Sequence, residues 1–186
     1  MPVQRTTLVG LFMLLVSTSS YADKLAQISI KTAQLSQQQG TYLLNARVHY
    51  QLSEEAIEAL HNGVTLTFNV ELSIIEPRPW LWNKYHSRIS LPYQIKYHTL
   101  AKIYQTTNHH SSSQHNFASL EAALYAMGQL NDVPINTLSN KTSFHKNGAL
   151  RAYLNIEALP LPMRPLAYLT PGWHLQSDRY LWPLKQ

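Results

Sequence analysis

The chain has no cysteine in 186 residues. That excludes a disulfide framework, thiolate metal sites, cysteine nucleophiles and lipid attachment at a leader cysteine. Only 6 glycines are present and none forms a phosphate-cradling run, so nucleotide loops of the Walker or dinucleotide type are excluded. Charge is sparse at 13%, with 15 Lys and Arg against 10 Asp and Glu, and the cations are scattered rather than gathered in a stripe. A formal charge of +5 favours an anionic envelope surface but falls short of a nucleic-acid footprint. Neither G-x-S-x-G nor H-E-x-x-H occurs, and the few carboxylates show no paired spacing, so an enzyme is the weakest of the functional readings. No cofactor is expected.

Long apolar runs are also missing, apart from Leu8 to Val16. That run follows Arg5 and precedes Ser20, Tyr21 and Ala22, the order of a charged region, an apolar region and a small-residue cleavage site. It is about half the ~20 residues that a membrane-spanning helix needs. The expectation is a signal peptide over 1–22, cleavage after Ala22, and one periplasmic domain over 23–186, with an uncleaved anchor as the competing reading. A domain of that length buries a real core without covalent cross-links.

What is present is alternation. In Val64 to Ile75, Val64, Leu66, Phe68, Val70, Leu72 and Ile74 occupy every second position, which predicts a strand with one buried face. Pro77 and Pro79 interrupt it, an aromatic tip follows, and Arg88–His98 resumes the alternation, continued by Thr99–Gln105; two antiparallel arms joined at a protruding loop are expected. Lys24–Leu35 and Thr41–Leu52 read as a hairpin across a turn at Gln37–Gly40. Ser53 before Glu54 and Glu55, with Gly63 after, predicts a short helix with Ile57 and Leu60 inward; Ser119 and Glu121 predict a second, with Leu120, Leu124, Met127 and Leu130 as its stripe. Thr106–Asn116, lacking apolar residues, predicts a solvated loop. Pro134 sits in a short extended piece, Asn147 and Gly148 predict a turn, and Ala149–Glu157 predicts a strand. The four prolines of Leu159–Pro171 predict an extended edge without helix, and Trp173–Leu175 with Tyr180–Trp182 a final hairpin. The fold class is α+β, mainly β: an antiparallel sandwich or half-barrel with two short helices.

These segments resemble the DUF4390 family, small exported proteobacterial proteins without an assigned function. The resemblance lies in LSEEAIEALHNGVTLTFNVEL from Leu52, Trp80 and Trp82, SRISLPYQIKYHTLAKIYQ from Ser87, FASLEAALYAMGQL from Phe117 and LPLPMRPLAYLTPGWHLQSDRYLW from Leu159. It spans about Leu25 to Pro183. It implies an exported domain, often encoded beside a sensor histidine kinase of the nitrogen-regulation type, with no catalytic motif to transfer.

The candidate site is the tip, where Trp80, Trp82 and Tyr85 stand among Arg78, Lys84 and Arg88. Amphipathic rings beside cations suit lipid headgroups, sugar faces or a protein partner. The plainer reading folds both tryptophans over the sheet edge with the cations reaching to water. His109, His110 and His115 share one polar segment, with His86 and His98 on the neighbouring arm, and form at best a weak metal candidate because adjacent histidines point apart in extended chain and no carboxylate accompanies them. The expected role is a non-catalytic envelope binding module with a protein partner, the sensor kinase among the candidates. A membrane-surface binder is the alternative and an enzyme the third reading. Protein recovered from the periplasm is expected to begin at Asp23 by intact mass; full-length membrane-bound protein retaining Met1 would overturn the soluble periplasmic assignment.

Overall fold

The computed structural model describes residues 27–78, 80, 84–135 and 146–184. The expected leader lies outside them. The alternating segments form antiparallel strands. β1 (Gln27–Gln38) and β2 (Thr41–Gln51) make a hairpin closed by Gln39 and Gly40, whose φ values of 46° and 81° are the left-handed conformations that a two-residue turn requires. α1 (Glu54–His61) follows, then β3 (Leu66–Glu76) and β4 (Lys84–His98). β5 (Ile103–Asn108), β6 (Ser113–Phe117), α2 (Leu120–Met127), β7 (Gln129–Ile135) and β8 (Asn147–Leu154) continue the chain, which ends through α3 (Arg164–Leu169) and β9 (Tyr180–Pro183).

The strands form two sheets, β1-β2-β7 and β6-β5-β4-β3-β8-β9. Their inner faces enclose one apolar core, to which β3 gives Leu66, Phe68, Val70 and Leu72 and β2 gives Leu44, Ala46, Val48 and Tyr50, all buried. The Tyr50 and Phe68 rings meet edge to face at 5.1 Å between centroids, linking the two strands through the core. Mostly-β α+β architecture with facing antiparallel sheets is what the alternation implies.

Both longer helices start where the capping residues lie. The Ser53 and Ser119 hydroxyls accept from the Ala56 and Ala122 amides at 3.2 Å. α1 buries Ala56, Ala59 and Leu60, with Ile57 only partly covered. It is held to the large sheet by His61, whose Nε2 lies 2.7 Å from the Tyr104 hydroxyl and whose ring packs on Tyr97. α2 ends at Gly128, where the chain passes so close to β2 that an added Cβ would stand 2.0 Å from the Val48 carbonyl oxygen.

Four expectations are corrected. Thr106–Asn116 is not a loop: β5 and β6 pair from Tyr104↔Phe117 to Asn108↔Ser113. Its side chains are polar on both faces, so ladder hydrogen bonds hold an edge hairpin that apolar periodicity does not reveal. Leu159–Pro171 contains α3 and short 3₁₀ turns because Pro162, Pro165 and Pro171 stand in first turns, where a missing N–H costs no hydrogen bond; the α-helices among the described residues are therefore three. Asn147 and Gly148 open β8 instead of turning, and Gly148 is needed because an added Cβ would meet the Trp182 ring at 2.4 Å. Finally, Leu175 to Ser177 and Tyr180 to Pro183 do not pair with each other: Leu175 O accepts from Leu154 N at 2.8 Å, Ser177 N donates to Ala152 O at 2.8 Å, and Tyr180 pairs with Leu150, so both segments run along one edge of β8.

Two substitutions around α2 separate a cap from a close approach. Ser119→Ala should lower stability by about 1 kcal/mol. Gly128→Ala must push backbone against backbone, and overpacking of this kind costs about 1–3 kcal/mol. Denaturant unfolding checks both, with the larger midpoint loss expected for Gly128→Ala.

Candidate binding site at the hairpin tip

Apolar alternation keeps β3 and β4 paired as far as Glu76↔Lys84, and the register shifts between Ile74 and Ile75. Such a bulge turns the strand and re-aims the side chains beyond it. Past Pro77 the chain leaves the ladder. Arg78 and Lys84 are exposed there, and Trp80 is fully exposed at 102% relative accessibility, with φ at 72°. A tryptophan in the left-handed region is uncommon because its Cβ crowds the backbone. Trp80 therefore does not fold back over the sheet. Trp82 lies outside the described residues, as do positions 79, 81 and 83.

Tyr85 is held more tightly than an isolated surface tyrosine. The Arg88 guanidinium carbon stands 5.0 Å from its ring centroid and that of Arg179 5.8 Å, while Arg179 Nη1 donates to its hydroxyl at 2.9 Å. Arg88 also reaches Glu71 across the strand at 3.5 Å. Glu76 is the anionic centre of the base of the tip: His86 Nε2 lies 2.7 Å from one carboxylate oxygen, Arg78 Nε 3.8 Å from the other, and Lys84 faces it across the ladder. The hydrogen bond from His86, then the nearby cations, hold its carboxyl below the usual carboxylate range despite the opposing effect of desolvation.

The structure thus brings together Arg78, Lys84, Tyr85 and Arg88 with the exposed Trp80. It adds Glu71, Glu76, His86 and Arg179 to the expected set. Of these, His86 stands out in the sequence only beside the weak metal candidate and Glu71 only on the polar face of its strand, and Glu76 has no role there. Arg179 had no sequence signal, since it is 94 residues from Tyr85 and reaches it only because β9 and β4 belong to one sheet.

The three loop histidines do not assemble. His109 and His110 lie in the β5–β6 turn, where His110 Nε2 sits 2.8 Å from the Pro134 carbonyl and the His109 amide donates to Pro92 O at 3.2 Å. His115 pairs with Thr106 within β6. Among the described residues no group of three or more His, Asp or Glu converges on a common point. No helix among them is long and apolar enough to cross a membrane.

The Glu76 pair gives a pH prediction with a fixed sign. A carboxyl whose folded pKa is depressed contributes stability above its unfolded value, about 4.3, and loses that contribution as pH falls through the lower folded value. Side-chain carboxyl NMR should place the Glu76 midpoint below that of an unperturbed glutamate, and His86→Ala should move it upward. An unchanged midpoint in the variant would remove His86 as the main cause.

The comparisons agree with the family-like pattern of the segments. The profile of the domain of unknown function DUF4390 matches residues 26–183, most of the chain. No curated protein and no solved structure matches it. The chain belongs to the DUF4390 family.

Proposed function

We propose that this protein is a non-catalytic binding module of the cell envelope, exported to the periplasm, that engages a protein partner through the β3–β4 tip. One observation carries the reading: Trp80 is fully exposed at the end of a paired arm, beside Arg78 and Lys84 and above a Tyr85 already fixed between two arginines. Aromatic and arginine side chains are the residues that supply most binding energy at protein interfaces, and fixing a tyrosine before contact lowers the entropy lost on binding. Folding does not need Trp80, which buries nothing. The cations give the tip a preference for acidic partner surfaces and for faster encounter at low salt.

The sensor histidine kinase implied by the family resemblance is the partner to test first, through its periplasmic region. Trp80→Ser should leave the unfolding midpoint within about 0.5 kcal/mol of native, as is usual for exposed positions. It should also abolish capture of that region. Equal capture by the variant would overturn the reading. Loss of cosedimentation with anionic vesicles, without any effect on protein capture, would replace the protein partner by a lipid surface.

A further inference from the structure

At the opposite sheet, a groove of about 380 Å³ opens between β2 and α2. This is within the size range of small-ligand pockets. Its apolar wall is Val48, Leu124 and Tyr125, and Tyr125 is 71% exposed although it is a large aromatic side chain. Lys31 and Arg47 stand at the rim, with His49 beside them. The register shift between Ile30 and Thr32 leaves Lys31 as the extra residue of a bulge, directly beside Arg47, whose ladder partner is Thr32. Bulges commonly re-aim a side chain next to a site. Among the described residues neither the Lys31 nor the Arg47 side chain has an ion-pair or hydrogen-bond partner. Glu121 on α2 is the single carboxylate lining the groove, and it lies on the wall of the helix while both cations lie on the sheet.

Tyr50 contributes to the floor of the groove, while its ring turns away into the core against Phe68. The gap itself depends on Gly128: Val48 N donates to Gly128 O at 2.9 Å, β7 pairs with β2 only as far as Arg47↔Gln129, and beyond that point the edge of β2 faces α2 rather than a strand.

We propose that this groove binds a single-chain amphipathic anion, with the alkyl chain against Val48, Leu124 and Tyr125 and the carboxylate or phosphate head on Lys31 and Arg47. Apolar walls ending at two unpaired cations match a molecule that is apolar along its length and anionic at one end, such as a free fatty acid or an acyl-chain phosphate. A neutral alcohol of the same length lacks the head that the cations recognise, and a cationic amphiphile is repelled by them. The site is independent of the tip: its residues lie on the other sheet and on α2.

The test is titration of the purified protein with dodecanoate, dodecyl phosphate and dodecanol below their micellar concentrations, read by calorimetry and by the shift of the unfolding midpoint. Both anions should bind saturably, one per chain, and raise the midpoint; dodecanol should bind at least about tenfold more weakly, the value of one charge-assisted contact. Preference between the two anions identifies the head as carboxylate or phosphate. Lys31→Gln with Arg47→Gln should remove the preference for anions while leaving the unliganded midpoint unchanged, because both side chains are exposed. Tyr125→Ser should weaken the anions and the alcohol alike. The proposal is overturned by the absence of saturable binding, or by binding that neither variant changes.

Discussion

Burial of the inner face of β3 is the constraint on which the rest of the structure depends. Leu66, Phe68, Val70 and Leu72 are completely buried, and β3 is paired on both sides, by β4 and by β8. With no cysteine to cross-link the chain, the free energy of folding must come from apolar surface withdrawn between two sheets. A one-residue slip of β3 would turn Thr67, Asn69, Glu71 and Ser73 into the core. The polar partners on the outer face reinforce the same register: Asn69 meets Tyr153, Glu71 meets Arg88 and Gln94 meets Thr67.

The same constraint sets the tip apart. Because β3 is gripped from both sides up to Ile75↔Asn147, the pair it makes with β4 leaves the body of the sheet as a supported arm instead of a free loop. Arg179, arriving from the segment before β9, ties the outer face of the arm to the far edge of the sheet through Tyr85. Trp80 thus extends from a base whose side chains are already committed to one another. The groove at β2 and α2 has the opposite origin. There the ladder stops, and a helix covers an edge that a strand would have closed.

Much of this was legible wherever one physical signal dominated. Alternation in Thr41–Leu52 and Val64–Ile75 reported strands because one face of each is buried, and Ser53 and Ser119 reported helix starts because a hydroxyl satisfies an otherwise unpaired amide. The Thr106–Asn116 part of the β5–β6 hairpin was not legible, since its stability lies in backbone pairing and its side chains are polar on both faces. Proline misled in Leu159–Pro171, where position within a turn matters more than number. At the site, Arg78, Trp80, Lys84, Tyr85 and Arg88 were visible as a local cluster of rings and cations. Arg179, and the groove joining Lys31 and Arg47 to α2, were not, because both depend on contacts between distant segments.

The polar hairpin that closes one side of the large sheet also governs how the molecule meets its own copies. A terminal strand carries a row of unpaired amides and carbonyls, ready to extend into a neighbour's sheet. β6 offers Ser113, Gln114, His115 and Asn116, and its one apolar residue, Phe117, packs against the core, so a second chain docking there would gain ladder bonds but little apolar contact. At the other end of the sheet β9 is only four residues long and finishes in Pro183, which has no amide to donate. Both rims are thus poor templates for sheet-to-sheet stacking, a safeguard against aggregation for a chain that has no cysteine cross-link to restrain it when partly opened.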